Sequence, residues 1–109
     1  MILFRQEHVG PILAGTKTQT RRTWEKPRAR VGTVHLAKTR MLSTEYFARL
    51  EILAVYQERL GDISEDDARA EGYPSRAEYF QAFARINRQR IGDDFCEQVI
   101  WVVRFQVVA

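Results

Sequence analysis

Gly15-Thr16-Lys17-Thr18-Gln19-Thr20-Arg21-Arg22 is the stretch on which the reading of this chain turns. It sets a lysine, several hydroxyls and two arginines side by side, directly after a helix stop. Upstream, Glu7 to Ala14 carries Val9, Ile12 and Leu13 at helical spacing. Pro11 suits a first turn, where its missing N–H has no helical partner to lose. Gly15 stands where a left-handed C-terminal cap belongs. Lys17 to Arg22 therefore starts just beyond a helix end, on a loop or entering a strand. A lysine beside a hydroxyl can act as its base once burial or another cation weakens the lysine's hold on its proton. Arginines offer planar donors to phosphate or carbonyl oxygens. Lys, Thr and Arg are also ordinary residues of a solvated loop, and spacing alone does not separate the two readings.

Working outward, Ile2-Leu3-Phe4 is a short apolar run expected as a buried strand. Trp24 to Arg30 is basic and broken by Pro27, and reads as a loop. Gly32 opens a strand over Thr33 to Lys38, with Val34 and Leu36 on one face. Tyr46 to Gln57 alternates like a strand, although Leu53-Ala54 keeps a helix open as the alternative. Ser64-Glu65-Asp66-Asp67 is a cap followed by acids, for a short helix ending near Glu71 and stopped by Gly72. Ser75-Arg76-Ala77-Glu78 is a capping box, and Tyr79, Phe80, Phe83 and Ile86 make an apolar stripe to about Arg88. Gln98 to Val108 is the clearest strand. Trp101, Phe80 and Phe83 are assigned to the core. This order predicts an α+β chain, a compact mixed sheet or half-barrel with flanking helices.

The length of 109 residues fits a single domain spanning 1–109. The one cysteine, Cys96, excludes an internal disulfide framework and reads as a small apolar side chain. Zinc-ligand spacings are absent, and no metal or other cofactor is expected. The N-terminal segment lacks the pattern of a signal peptide, and the apolar runs are too short to span a bilayer, so a cytoplasmic protein without a membrane partner is expected. Charge is uneven. Residues 1–40 hold nine Lys/Arg against Glu7 and Glu25, or +7, whereas residues 41–109 hold eight basic and twelve acidic residues, or −4. An anionic partner for the N-terminal part would explain this, and so would neutralisation by the acidic part after folding.

Other residues invite chemical readings. Glu71, before Gly72-Tyr73-Pro74, can orient a lysine, move a proton or accept from a base amino group, or simply be a solvated helix end. Asp62, Asp66 and Asp67 read as helix capping rather than as a metal cluster. Trp24 follows the arginines and can stack on a base or fill the core. His8 and His35 could serve as the acid and base of a metal-free ribonuclease, but nothing in the sequence brings them together.

These residues resemble the ASCH (activating signal cointegrator homology) family, whose signature Gly-x-Lys-x-x-x-x-Arg is matched from Gly15 to Arg22. Gly32-Thr33-Val34-His35-Leu36, Asp67-Ala68-Arg69-Ala70-Glu71-Gly72-Tyr73 and the closing strand Val99 to Phe105 are similar to later family segments. The resemblance implies a PUA-like fold, a small mixed β-barrel with flanking helices and a cleft for RNA or nucleotides. It is also a resemblance to small bacterial amidohydrolases that deacetylate N4-acetylcytidine through a lysine, a threonine and a downstream glutamate. The matching positions are Lys17, Thr20 and Glu71, none of them expected in the core, with Arg21, Arg22, Trp24, Lys26 and Tyr73 as substrate or RNA contacts. Arg21 stands where those enzymes often carry an apolar residue, and Trp24 to Arg30 is more basic than an uncharged nucleoside needs, which points toward RNA or a phosphate. A non-catalytic RNA-binding module and a metal-independent ribonuclease stand as alternatives.

Overall fold

Strand β5 (Val99–Val108) organises the molecule, and the computed structural model, which describes residues 1–108, shows why. Successive side chains of a strand point to opposite faces. Val103 and Phe105 enter one apolar cluster with Ile2, Phe4, Ile12, Leu50 and Ile52. Ile100 and Val102 enter a second, with Leu60, Ile63, Tyr79, Phe83 and Phe95. The continuous apolar run of β5 thus records burial on both faces rather than one.

The other strands are β1 (Ile2–Leu3), β2 (Gln19–Arg22), β3 (Val34–Lys38) and β4 (Ala48–Arg59). They form one five-stranded sheet in the order β1-β3-β4-β5-β2, curled into a half-barrel. Only β1 with β3 is parallel; β3–β4, β4–β5 and β2–β5 are antiparallel. Leu53, which with Ala54 allows a helix as the alternative, falls at a register shift between β4 and β5 and is 47% exposed. An extra residue there bends the strand and sharpens the curl. Helix α1 (Val9–Ala14) follows a short 3₁₀ turn at Gln6–His8 and ends on Gly15 at φ +80°. Helices α2 (Glu65–Ala70) and α3 (Arg76–Ile86) start on Ser64 and Ser75, whose hydroxyls accept from the main-chain N–H groups of Asp67 and Glu78.

Val34, at the end of β3 that β1 does not reach, is exposed. Two expectations change. Trp101 is half-buried, outside both clusters, and its indole N–H has no hydrogen-bond partner among the described residues. Helix α3 stops at Ile86, with Arg88 already in the left-handed region at φ 53°.

Candidate functional site

The two edges of the sheet, β1 and β2, approach each other without pairing. One side chain bridges this seam: the Arg22 Nη2 group donates to the Leu3 carbonyl at 2.6 Å. Beside it lies a cavity of about 240 Å³, walled by the residues after β1, by β2, by the end of α2 and by α3. Small-molecule sites run from roughly 300 to 1,000 Å³, so this volume suits one small ligand.

Alternation along β2 divides the motif between two environments. Thr20 and Arg22 share one side, where Arg22 Nε donates to Thr20 Oγ1 at 2.9 Å and the guanidinium sits 5.0 Å from the centre of the Phe4 ring. Gln19 and Arg21 share the other. Arg21 Nη1 donates to Gln19 Oε1 and to Glu71 Oε2, both at 2.9 Å, while its Nε and Nη2 each lie 3.1 Å from Glu58 Oε1. Gln19 Nε2 in turn donates to Asp67 Oδ1 at 2.9 Å.

Lys17 sits in the turn between α1 and β2. Its main-chain N–H donates to Pro11 O at 3.1 Å, and the next N–H, of Thr18, donates to Ala70 O at 2.8 Å. The motif is thereby fastened to both α1 and α2. An ammonium has three N–H donors, and the Lys17 Nζ group uses all of them: on Gln19 O at 3.0 Å, Glu71 O at 2.6 Å and Glu71 Oε1 at 3.1 Å. Glu71 therefore grips Lys17 with one carboxylate oxygen and Arg21 with the other. Gly72, at φ +102°, turns the chain out of α2 so that it passes along the aliphatic stem of Lys17.

Lys17, Thr20, Arg21 and Glu71 are 2%, 4%, 5% and 4% exposed. This corrects the expectation that the Lys17, Thr20 and Glu71 side chains lie outside the core. Polar and charged groups tolerate such burial only when hydrogen-bonded and paired, and acids from β4 and α2 supply the partners. Arg21 is corrected likewise: its guanidinium is sealed against Glu58, Asp67 and Glu71 rather than turned to a phosphate. The basic N-terminal part is thus neutralised, in part, by the acidic remainder of the chain.

Electrostatics follow the packing. Burial pushes the Lys17 ammonium below the ordinary lysine range, with Arg22 and Arg21 adding to the shift and Glu71 opposing it. Burial also works against the Arg21 charge, but Glu71 and Glu58 outweigh it and hold that guanidinium above its ordinary range. Arg22 is lowered by burial, with Glu71 again opposing.

Arg22, Trp24 and Tyr73 line the cavity together with Lys17, Thr20, Arg21 and Glu71, whereas Lys26 lies outside it on the exposed loop. Trp24 is half-buried and packs on the β1-side cluster. The histidines are parted. His8 lines the cavity, with Nε2 3.0 Å from the Tyr73 hydroxyl. Burial, reinforced by Lys17, lowers its pKa to about 4, so it is neutral at pH 7. His35 does not line the cavity, and its Nε2 lies 3.1 Å from Thr33 Oγ1. No spacing in the sequence marks His8; the chain curling back through α1 brings it to Lys17. Tyr79 of α3 and Asn87, which caps its C-terminal end, are further lining residues that motif reasoning missed. In the sequence Tyr79 stands only in an apolar stripe, and its hydroxyl has no hydrogen-bond partner among the described residues.

Among the described residues no group of three or more His, Cys, Asp or Glu side chains is placed to hold a metal ion. Nor is any helix among them long and apolar enough to cross a membrane.

By sequence, no protein-family model and no curated protein matches the chain. By structure, it is similar to an ASCH domain from Lactobacillus crispatus, at a TM-score of 0.69 and 19% identity, over 91% of this chain and 69% of that one. It is similar also to a protein of Enterococcus faecalis described by the family model DUF984, at a TM-score of 0.69 and 16% identity, over 94% of this chain and 67% of that one. Identities this low speak for architecture alone, and the architecture of this chain, a curled mixed sheet with a cavity at its open seam, is the ASCH-domain fold.

Proposed function

We propose that the protein is a small amidohydrolase that removes the acetyl group from N4-acetylcytidine-type nucleosides or nucleotides. The observation that carries this reading is the meeting of Lys17, Thr20 and Glu71 at one small cavity, with the Lys17 Nζ group 3.1 Å from Glu71 Oε1.

In the proposed reaction, a bound ligand excludes water and favours the neutral form of the Lys17–Glu71 pair, so one Lys17 proton passes to Glu71. The free amine takes the hydroxyl proton of Thr20 as Thr20 Oγ1 attacks the acetyl carbonyl. Arg22 Nε, already donating to Oγ1 at 2.9 Å, supports the developing alkoxide. Arg22 Nη1 has no hydrogen bond among the described residues and is the donor for the oxyanion of the tetrahedral intermediate. As the C–N bond breaks, the Lys17 ammonium returns its proton to the cytosine amine. Lys17 then takes a proton from water as the water oxygen attacks the Thr20 ester. The Lys17 ammonium returns that proton to Thr20 Oγ1 as the C–O bond breaks and acetic acid leaves as acetate, and Glu71 hands its proton back to Lys17.

The test is conversion of N4-acetylcytidine to cytidine by the pure protein, followed by chromatography. Thr20→Ala is expected to abolish turnover and Thr20→Ser to restore part of it. Full activity in Thr20→Ala would exclude the covalent route, and no conversion by the wild type at high enzyme concentration would sink the reading.

One observation favours a second reading, an RNA-binding module. Lys26, Arg28 and Arg30 are exposed on the loop that follows Trp24. RNA binding through them should weaken steeply as salt rises, because phosphate contacts release counterions. Hydrolysis of an uncharged nucleoside should be nearly indifferent to salt.

A further inference from the structure

We propose that the Tyr79 hydroxyl is a ligand-contacting donor, completed by a carbonyl oxygen of the bound acylated base. The inference rests on the hydrolase reading above and goes beyond the Lys17, Thr20 and Glu71 set.

Three observations carry it. Tyr79 is 2% exposed, and its hydroxyl has no hydrogen-bond partner among the described residues. Buried polar atoms are nearly always paired, so an orphan of this kind calls for a partner that the chain does not supply. Second, Tyr79, on α3, lines the same cavity as Lys17, Thr20 and Glu71. Third, the Lys17, Arg21 and Tyr73 donors around it are committed, and the remaining Arg22 Nη1 is assigned above to the oxyanion. All three Lys17 donors are used, Arg21 is held by Gln19, Glu58, Asp67 and Glu71, and Tyr73 meets His8.

The surroundings define what Tyr79 can recognise. Its ring packs among Tyr73, Phe80 and Phe83, with centroids 5.8 to 5.9 Å away. Burial, and then the Glu71 carboxylate, push its ionisation far above the ordinary tyrosine range. The group therefore stays protonated and donates. A neutral acceptor in an apolar setting is its complement, and an amide or pyrimidine carbonyl oxygen is such an acceptor. An acylated cytidine carries a carbonyl oxygen on the acyl group and another on the ring.

Tyr79→Phe removes the oxygen and leaves the ring, so it tests the contact without emptying the core. Melting of the free protein, hydrolysis of N4-acetylcytidine and binding of cytidine are measured on the wild type and the variant. The expected result is a melting temperature equal to or above the wild type, since an orphan is removed, with kcat/KM at least tenfold lower. A fall in kcat with cytidine binding unchanged assigns the contact to the acyl oxygen, where one donor of this kind is worth roughly 100- to 1,000-fold. A raised KM with weaker cytidine binding assigns it to the ring oxygen. A higher melting temperature with unchanged kcat/KM would overturn the proposal. If the wild type hydrolyses nothing, the hydrolase reading fails by itself, and cytidine binding decides: tighter in the wild type than in the variant sustains the Tyr79 contact, while equal or no binding overturns it.

Discussion

Glu71→Gln is the substitution that most directly probes the buried charge cluster. Glu71 is the carboxylate shared by two enclosed cations, at 3.1 Å from Lys17 Nζ and 2.9 Å from Arg21 Nη1. Glutamine keeps the volume and one acceptor oxygen but removes the charge. At an effective dielectric of about 20, each contact near 3 Å is roughly 5 kcal/mol of gross attraction. The net loss is smaller, because Lys17 keeps the carbonyls of residues 19 and 71, and Arg21 keeps Glu58 and Asp67. Breaking a buried pair typically costs about 3–5 kcal/mol, and the remaining partners place this case near 3. For a chain of this length that lowers the melting temperature by about 12 °C, at about 4 °C per kcal/mol. Lys17→Met behaves differently. It removes one of the two cations, fills much of the space of the stem, and leaves Glu71 paired with Arg21, so about 1–2 kcal/mol is expected. Calorimetry or urea unfolding of both variants gives the comparison. Glu71→Gln within 1 kcal/mol of the wild type, or Lys17→Met as the costlier change, would refute the account of Glu71 as the shared counter-charge.

Two further predictions concern the same region. His8 titrates at about 4 in the folded protein against an ordinary 6.5, so the unfolded chain takes up the proton first. Stability present above pH 6.5 is therefore lost as pH falls toward 4. The full linkage would be about 3 kcal/mol, and the half-buried ring reduces it to about 1–2 through solvent screening. Subtracting the urea-unfolding profile of His8→Gln from that of the wild type should isolate this slope, and parallel profiles would contradict it. Gly72→Ala should cost about 1–2 kcal/mol from strain at φ +102° rather than from a clash, since a Cβ there would lie 3.7 Å from Lys17 Cδ. Gly72→Asn, which tolerates the left-handed region better, should cost less in the same unfolding assay.

Much of the architecture was legible because it depends on neighbours in the chain. Gly15 and Gly72 stop helices, Ser64 and Ser75 start them, and the apolar run of β5 declares a buried strand; each of these is decided within a few residues. The motif from Gly15 to Arg22 and its glutamate partner at 71 were legible through resemblance, as residue types at a spacing. The faces were less legible. Val34 and Trp101 carry core-like side chains, but their cover depends on where β1 ends and how far each cluster reaches.

Sequence by itself determined the residue types of the cluster, the helix stops that flank it, and a charge imbalance between the two parts of the chain. Only the tertiary structure decided what that imbalance is for. It sends Arg21 inward to acids 37 to 50 residues away, closes the seam between β1 and β2 with Arg22, and brings His8 and Tyr79 to the cavity. The reason is physical. A buried charge is tolerable only with its partners in place, and those partners sit on β4 and α2, whose approach to β2 is fixed by the curl of the sheet and by burial of both faces of β5.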